Sequence, residues 1–135
     1  MSVSKLELLS PAGDMERLKM SVLYGADAVY LGSDRFGMRT AAASFGGEEL
    51  KEACDYAHKN GAKVYLTCNT VPRNNELDAL PSFIEYAKDS GVDAFIVTDI
   101  GVLGIVKKHA PDVDIHISTQ AGITNYAAAL AFYEM

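Results

Sequence analysis

The sequence has no tryptophan, only two cysteines and only four prolines in 135 residues. Two cysteines cannot staple a chain of this length, so a disulfide scaffold is excluded. Long apolar runs are also lacking. None approaches the roughly 18 residues that a membrane helix needs. Basic charge is in short supply, with 12 Lys+Arg against 18 Asp+Glu and a formal net charge of −6. That balance argues against this segment gripping nucleic acid alone, because phosphate contacts need clustered Lys and Arg; other regions of a longer protein could supply them. The opening residues MSVSKLELL hold no apolar core followed by a small-residue cleavage site, so no secretory signal is expected. A cytoplasmic, reducing setting is the expectation. Hydrophobic residues make up 49% and charged residues 22%, a balance that excludes intrinsic disorder and fits a packed domain.

A repeated punctuation mark organises the chain. Tyr24-Gly25-Ala26-Asp27 leads into Ala28–Leu31, Asn60-Gly61-Ala62-Lys63 into Val64–Thr67, and Ser90-Gly91-Val92-Asp93 into Ala94–Val97. Pro111-Asp112 leads into Val113–Ile117, and a further apolar stretch, Leu6–Leu9, opens the chain. These read as five short buried strands. The glycines read as helix C-caps, which take the left-handed conformation. The segments between have helical period. Met15, Leu18 and Val22 share one face; so do Leu50, Cys54 and Ala57, then Leu80, Ile84 and Ala87. Val102, Ile105, Val106 and His109 line a fourth helix that Pro111 stops. Asp14 is placed to cap the first helix, and Asn125 a last one over 126–135.

Strands alternating with helices imply an α/β fold with parallel pairing. Without a Gly-rich dinucleotide turn, the pattern favours a TIM-like (β/α)8 barrel over a doubly wound sheet. A full barrel takes about 250 residues. The expectation is therefore a single domain over 1–135, an incomplete barrel of about five units forming the N-terminal part of a longer protein. Its unpaired strand edges predict self-association.

Barrel chemistry sits at the C-terminal ends of the strands. That points to segments 10–14, 32–45, 69–76, 98–99 and 118–125; in the loop after the second strand, the longest, Arg39 is placed to clamp an anion bidentately or to serve as a solvated or structural arginine. Alternation puts Tyr65, Thr67 and Asn69 on one face of the third strand, with Asn69 at the mouth. In the fifth strand Asp114, His116 and Ser118 take the face opposite Val113, Ile115 and Ile117. His116 is then expected as a buried interior histidine, either satisfied in the core or serving as acid–base or ligand. Gln120 and Asn125 offer further amides, and capping alone accounts for Asn125. No catalytic residue is assigned: no G-x-S-x-G elbow surrounds Ser118, and no H-E-x-x-H, P-loop or zinc-knuckle spacing occurs. Cys54 and Cys68 show no C-x-x-C spacing and read as core residues, so no metal site is expected. His58 and His109 read as surface residues near helix C-termini.

Three stretches in combination resemble the peptidase family of unknown catalytic type numbered thirty-two, typified by a bacterial collagenase-like protease. They are Glu7–Asp14, Tyr24–Gly32 with Phe36-Gly37-Met38-Arg39, and His116–Ala121 with Thr124-Asn125. Asn69-Thr70 with Asn74 and Leu77 matches the family's third loop. The resemblance implies a TIM-like barrel in a protein two to three times longer, commonly described as a peptidase and hydrolase. It implies, alternatively, an oxygen-independent hydroxylation factor. Such factors act on a tRNA wobble uridine, an rRNA cytidine or ubiquinone precursors, using an iron–sulfur cluster, with prephenate implicated for the RNA reactions. The cluster cysteines of that family lie beyond these residues, so no cofactor is expected in this chain and the isolated piece is expected to be inactive. Arg39, Asn69, Ser118, Gln120 and Asn125 match family positions at the barrel mouth and, with His116, are expected to bind a small carboxylate, peptide or RNA substrate. A non-catalytic ligand-binding barrel fragment is the third reading. No membrane partner is expected.

Overall fold

The computed structural model describes residues 6–37 and 45–135. Five parallel strands form one sheet in chain order: β1 (Leu9–Pro11), β2 (Ala28–Gly32), β3 (Lys63–Cys68), β4 (Ala94–Val97) and β5 (Asp114–Ile117). Between and after them run α1 (Met15–Leu23), α2 (Glu48–Lys59), α3 (Asn74–Leu77), α4 (Leu80–Asp89), α5 (Ile100–His109) and α6 (Tyr126–Glu134), with a 3₁₀ turn at Thr119–Ala121. This is the expected α/β architecture of successive parallel units, and the sheet does not close on itself.

The two faces of the sheet differ in chemistry. One face packs under the helices. Val29 and Leu31 of β2, Val64, Leu66 and Cys68 of β3, and Phe95 and Val97 of β4 meet Leu18, Leu50, Cys54, Ile84 and Val106 there, all essentially buried. The other face holds a small cluster, Ala28, Tyr65 and Ala94, flanked by Tyr30 and Ile96. Strand alternation alone produces this division.

The punctuation turns do two jobs. At Gly61 (φ 77°) and Gly91 (φ 99°) the chain takes the left-handed conformation. There Ala62 and Val92 donate back to Ala57 O and Ala87 O, closing the ends of α2 and α4. The aspartates two residues past Gly25 and Gly91 then tie down a neighbouring strand. Asp27 Oδ2 accepts from Leu8 N at 2.9 Å, and Asp93 Oδ2 from Val64 N at 2.7 Å. Asp14 caps α1 by accepting from Arg17 N at 2.8 Å, as its position predicts.

Two expectations are corrected. The first strand is Leu9–Pro11, not Leu6–Leu9. Its parallel register is set by β2, where Leu9 partners Ala28, so Leu6 and Leu8 fall before the pairing and stand exposed. Pro11 ends an edge strand, where its missing N–H leaves no ladder bond unmade. The second correction concerns His116. It lies on the predicted inner face but is exposed, not buried. Alternation fixes which face a side chain takes; coverage of that face depends on neighbours, and β5 has a partner on one side only. In addition, the short helix α3 occupies part of a segment expected to be loop.

Candidate functional site

A hollow of about 590 Å³ opens at the C-terminal end of the sheet. Gly32 and Thr67 form part of its lining from adjacent positions on β2 and β3, with Ala12 and Gly13 from the turn into α1 on one side. Asn69, Ser118 and Gln120 line it from the other loops.

Gln120 sits at the start of the 3₁₀ turn, and its side-chain carbonyl is a meeting point. Oε1 accepts from Asn69 Nδ2 at 3.0 Å, from Ser118 Oγ at 3.3 Å and from Thr98 Oγ1 at 3.4 Å. Three donors from the loops after β3, β4 and β5 thus converge on one oxygen, which fixes the amide's orientation. Ser118 also N-caps the 3₁₀ turn, accepting from Gln120 N at 3.4 Å. The backbone fits tightly close by: a Cβ on Gly37 would lie 3.4 Å from Thr67 Oγ1 and 3.3 Å from Ser33 O.

Of the residues expected to bind substrate, Asn69, Ser118 and Gln120 come together at the hollow. Asn125 does not line it; it caps α6, accepting from Ala128 N at 2.9 Å. His116 lies away from the lining residues, edge-on to the Tyr65 ring with centroids 4.6 Å apart. Arg39 lies outside the described residues. Sequence reasoning placed Thr98 at the C-terminal end of the fourth strand but missed its bond to Gln120. It also missed Glu7, which accepts from Tyr65 Oη at 2.7 Å. Desolvation, with that bond second, pushes the Tyr65 phenol above its ordinary range.

The histidines and cysteines among the described residues lie outside the lining of the hollow. His58 pairs with Asp93 at 2.8 Å and His109 with Glu85 at 2.7 Å, neither beside a serine, cysteine or threonine bonded to the ring. Cys54 and Cys68 are buried in the helix-side core, as expected. Desolvation pushes both thiols up to about 12, with Asp93 and Asp55 adding to the rise at Cys54. Among the described residues no group of three His, Cys, Asp or Glu side chains is arranged to hold a metal. No helix among them is long and apolar enough to cross a membrane.

Comparisons with known proteins agree with this picture. A tRNA hydroxylation protein P of Helicobacter pylori is 42% identical over 134 residues, covering 98% of this chain and 32% of that protein. The tRNA hydroxylation protein P1 of Bacillus subtilis is 40% identical over 124 residues, covering 92% and 29%. An uncharacterized protease of Methanocaldococcus jannaschii is 42% identical over 124 residues, covering 92% and 30%. The chain therefore spans about a third of the length of the curated relatives it matches. The solved structure of the U32 peptidase Mk0906 superposes with a TM-score of 0.79 at 18% identity, over 99% of this chain and 57% of that one, which shows a shared fold. The family model for peptidase family U32 matches residues 13–135, and the chain belongs to that family.

Proposed function

We propose that this chain is the N-terminal barrel portion of an RNA hydroxylation factor, and that its mouth hollow binds the small polar reactant or the base edge on which that chemistry works. The observation that carries the reading is the convergence of Asn69, Thr98 and Ser118 on Gln120 Oε1. Neutral, oriented amides and hydroxyls suit recognition of a carboxylate or a nucleobase; they supply no activated nucleophile. The Helicobacter and Bacillus relatives, both named as tRNA hydroxylation proteins, support an RNA target. A peptidase reading has the family name and the Methanocaldococcus relative behind it. Against it stands Ser118, whose hydroxyl is bonded to Gln120 rather than to a histidine.

In the intact protein an iron–sulfur cluster would be held by cysteines outside these residues and would supply redox chemistry. This chain's own part is to bind and orient. We infer a cytoplasmic setting, where both thiols stay reduced and RNA substrates occur. We infer too that the chain in isolation self-associates through the open edge of β5.

The test uses a strain deleted for the gene and complemented with the intact protein or its Gln120→Ala variant. Nucleoside mass spectrometry of bulk tRNA should show hydroxylated uridine lost on deletion, restored by the natural sequence, and lowered about tenfold or more by the variant. Undiminished hydroxyuridine in the deletion strain removes the tRNA-hydroxylation reading. Gelatin cleavage by the intact protein that is abolished by Ser118→Ala would restore the peptidase reading.

A further inference from the structure

The described cations of this chain differ in whether they have a partner. Arg17, Arg35 and Arg73 lie in loops or first helical turns at the mouth end, as does Lys51 in the first turn of α2. Lys59, Lys63, Lys88, Lys107 and Lys108 lie at helix C-termini or strand starts, at the opposite end. Most described cations are engaged. Arg17 pairs with Asp14, Lys51 with Asp55, Lys63 with Glu7 and Lys88 with Asp112. Lys19 sits over the Tyr56 ring at 5.6 Å, and Lys107 donates to Met135 O. At the mouth end, Arg35 and Arg73 alone among the described residues have a guanidinium with neither an ion pair nor a side-chain hydrogen bond. Both residues are exposed.

These two arginines sit on two loops that are joined by hydrogen bonds. Arg35 precedes Phe36 in the loop after β2, and Arg73 follows Thr70 in the loop after β3. Phe36 O accepts from Thr70 N at 3.3 Å and from Thr70 Oγ1 at 3.1 Å. Phe36 holds a φ of 57°, a costly conformation for a side chain of its size, and its ring packs on Phe83 at 5.2 Å. Beneath them β2 and β3 pair through Gly32 and Thr67, both lining the hollow. The Phe36–Thr70 bonds tie the two arginine-bearing loops together at the C-terminal ends of β2 and β3, the end where the hollow opens.

We infer that Arg35 and Arg73 form a phosphate-contact rim on which an RNA backbone lies while a nucleotide reaches the hollow; this rests on the proposed RNA function. Guanidinium binds phosphate by two parallel bonds, which favours arginine over lysine for such a rim. Val71, 72% exposed between the two loops' junction and Arg73, offers an apolar surface for a ribose or base. The rim also carries acidic groups. Asp34 adjoins Arg35, Glu76 Oε2 accepts from Arg73 N at 2.6 Å, and Glu48 and Glu49 open α2 nearby in sequence. With a net charge of −6, they leave a narrow contact strip rather than a broad basic face. The grip is therefore local and strongly dependent on salt.

The experiment titrates a labelled anticodon stem-loop RNA with the intact protein across a salt series. It compares the natural sequence, Arg35→Gln with Arg73→Gln, and a far-end control, Lys59→Gln with Lys108→Gln. All four side chains are exposed, and thermal melts confirm equal folding. The arginine pair should weaken binding about tenfold or more and flatten the slope of log K against log salt by about 1.5–2, the loss of two phosphate contacts. The far-end pair should change neither. No binding by the natural sequence, an unchanged slope in the arginine variant, an equal loss in the far-end variant, or equally tight binding of polyglutamate each overturns the rim. A rim that behaves as expected beside undiminished tRNA hydroxylation in the deletion strain would refute the hydroxylation reading and leave the RNA surface standing.

Discussion

Cys54 and Cys68 are the chain's two thiols, and both are enclosed by apolar side chains on the helix side of the sheet. Burial raises each from 9.0 to about 12 in the folded state. Tyr65 moves in the same upward direction, through desolvation and its bond to Glu7. The sign follows from proton linkage. Between pH 9 and 12 the unfolded chain gives up protons that the folded chain keeps, so rising pH favours unfolding. The stabilisation is complete below pH 9 and is lost progressively up to about pH 12, at no more than about 1.4 kcal/mol per pH unit for each thiol. Urea denaturation at pH 8, 9, 10 and 11 should show the midpoint falling over this window. A variant carrying Cys54→Ala and Cys68→Ala should start about 1–3 kcal/mol lower at pH 8, from lost packing, yet fall less steeply. Parallel curves for the two proteins would mean that the thiols do not titrate as their burial requires. Sequence patterning placed both cysteines in the core correctly, because each occupies an apolar position in a clear period. It could not place Gln120 at the centre of a network, since Asn69 lies 51 residues away and their contact depends on β3 and β5 flanking β4 on either side.

At the scale of elements, the ends of the helices carry the clearest local instructions. Gly61 ends α2 with φ at 77°, and a side chain there meets nothing within 4 Å, so an added methyl would act through backbone strain alone. Gly104 lies within α5, exposed, also with nothing within 4 Å of a built Cβ and at an ordinary helical position. The same substitution should therefore have opposite signs at the two sites. Gly61→Ala should destabilise by about 1–2 kcal/mol. Gly104→Ala should stabilise by up to about 1 kcal/mol, because glycine is the poorer helix former. Urea midpoints for the two single variants decide it; a matching sign would show that the cap geometry at Gly61 is not required. The elements whose ends carry glycine or a capping side chain were the ones legible in the sequence: α1 behind Asp14, α6 behind Asn125, and the turns before β2, β3 and β4. β1 was misplaced because Leu6–Leu9 is apolar but has no such boundary mark. Its register is dictated by Ala28 across the sheet and by the Asp27 carboxylate, both distant in sequence.

At the scale of the whole molecule, an α/β sheet that does not close has a different surface from a barrel. The sequence pattern specified the parallel order and the division of each strand into a helix face and an inner face. Its reading of His116 as buried assumed neighbours on both sides, and β5 has one. In β5 the N–H groups of Asp114 and Ser118 reach back to β4, at 3.3 and 2.7 Å. Parallel alternation then turns those of Ile115 and Ile117 toward the open edge. Beside that edge, an apolar cleft of about 540 Å³ runs between α5, β5 and α6, lined by Leu103, Val113, Ile123, Phe132 and Met135 among others. Unpaired backbone donors next to uncovered apolar side chains favour pairing with another strand, and for the chain in isolation the available partner is a second copy. Light scattering on the 135-residue chain should show a mass that rises with concentration from the micromolar range toward about 1 mM. Ile115→Pro removes one outward donor without touching the bonds to β4, so it should shift that rise to higher concentration in a chain whose circular dichroism is unchanged. A constant monomer mass across the whole range would show that the β5 edge is protected by its own twist and by the charge of Asp114, and that open strands in this fold are tolerated without a partner.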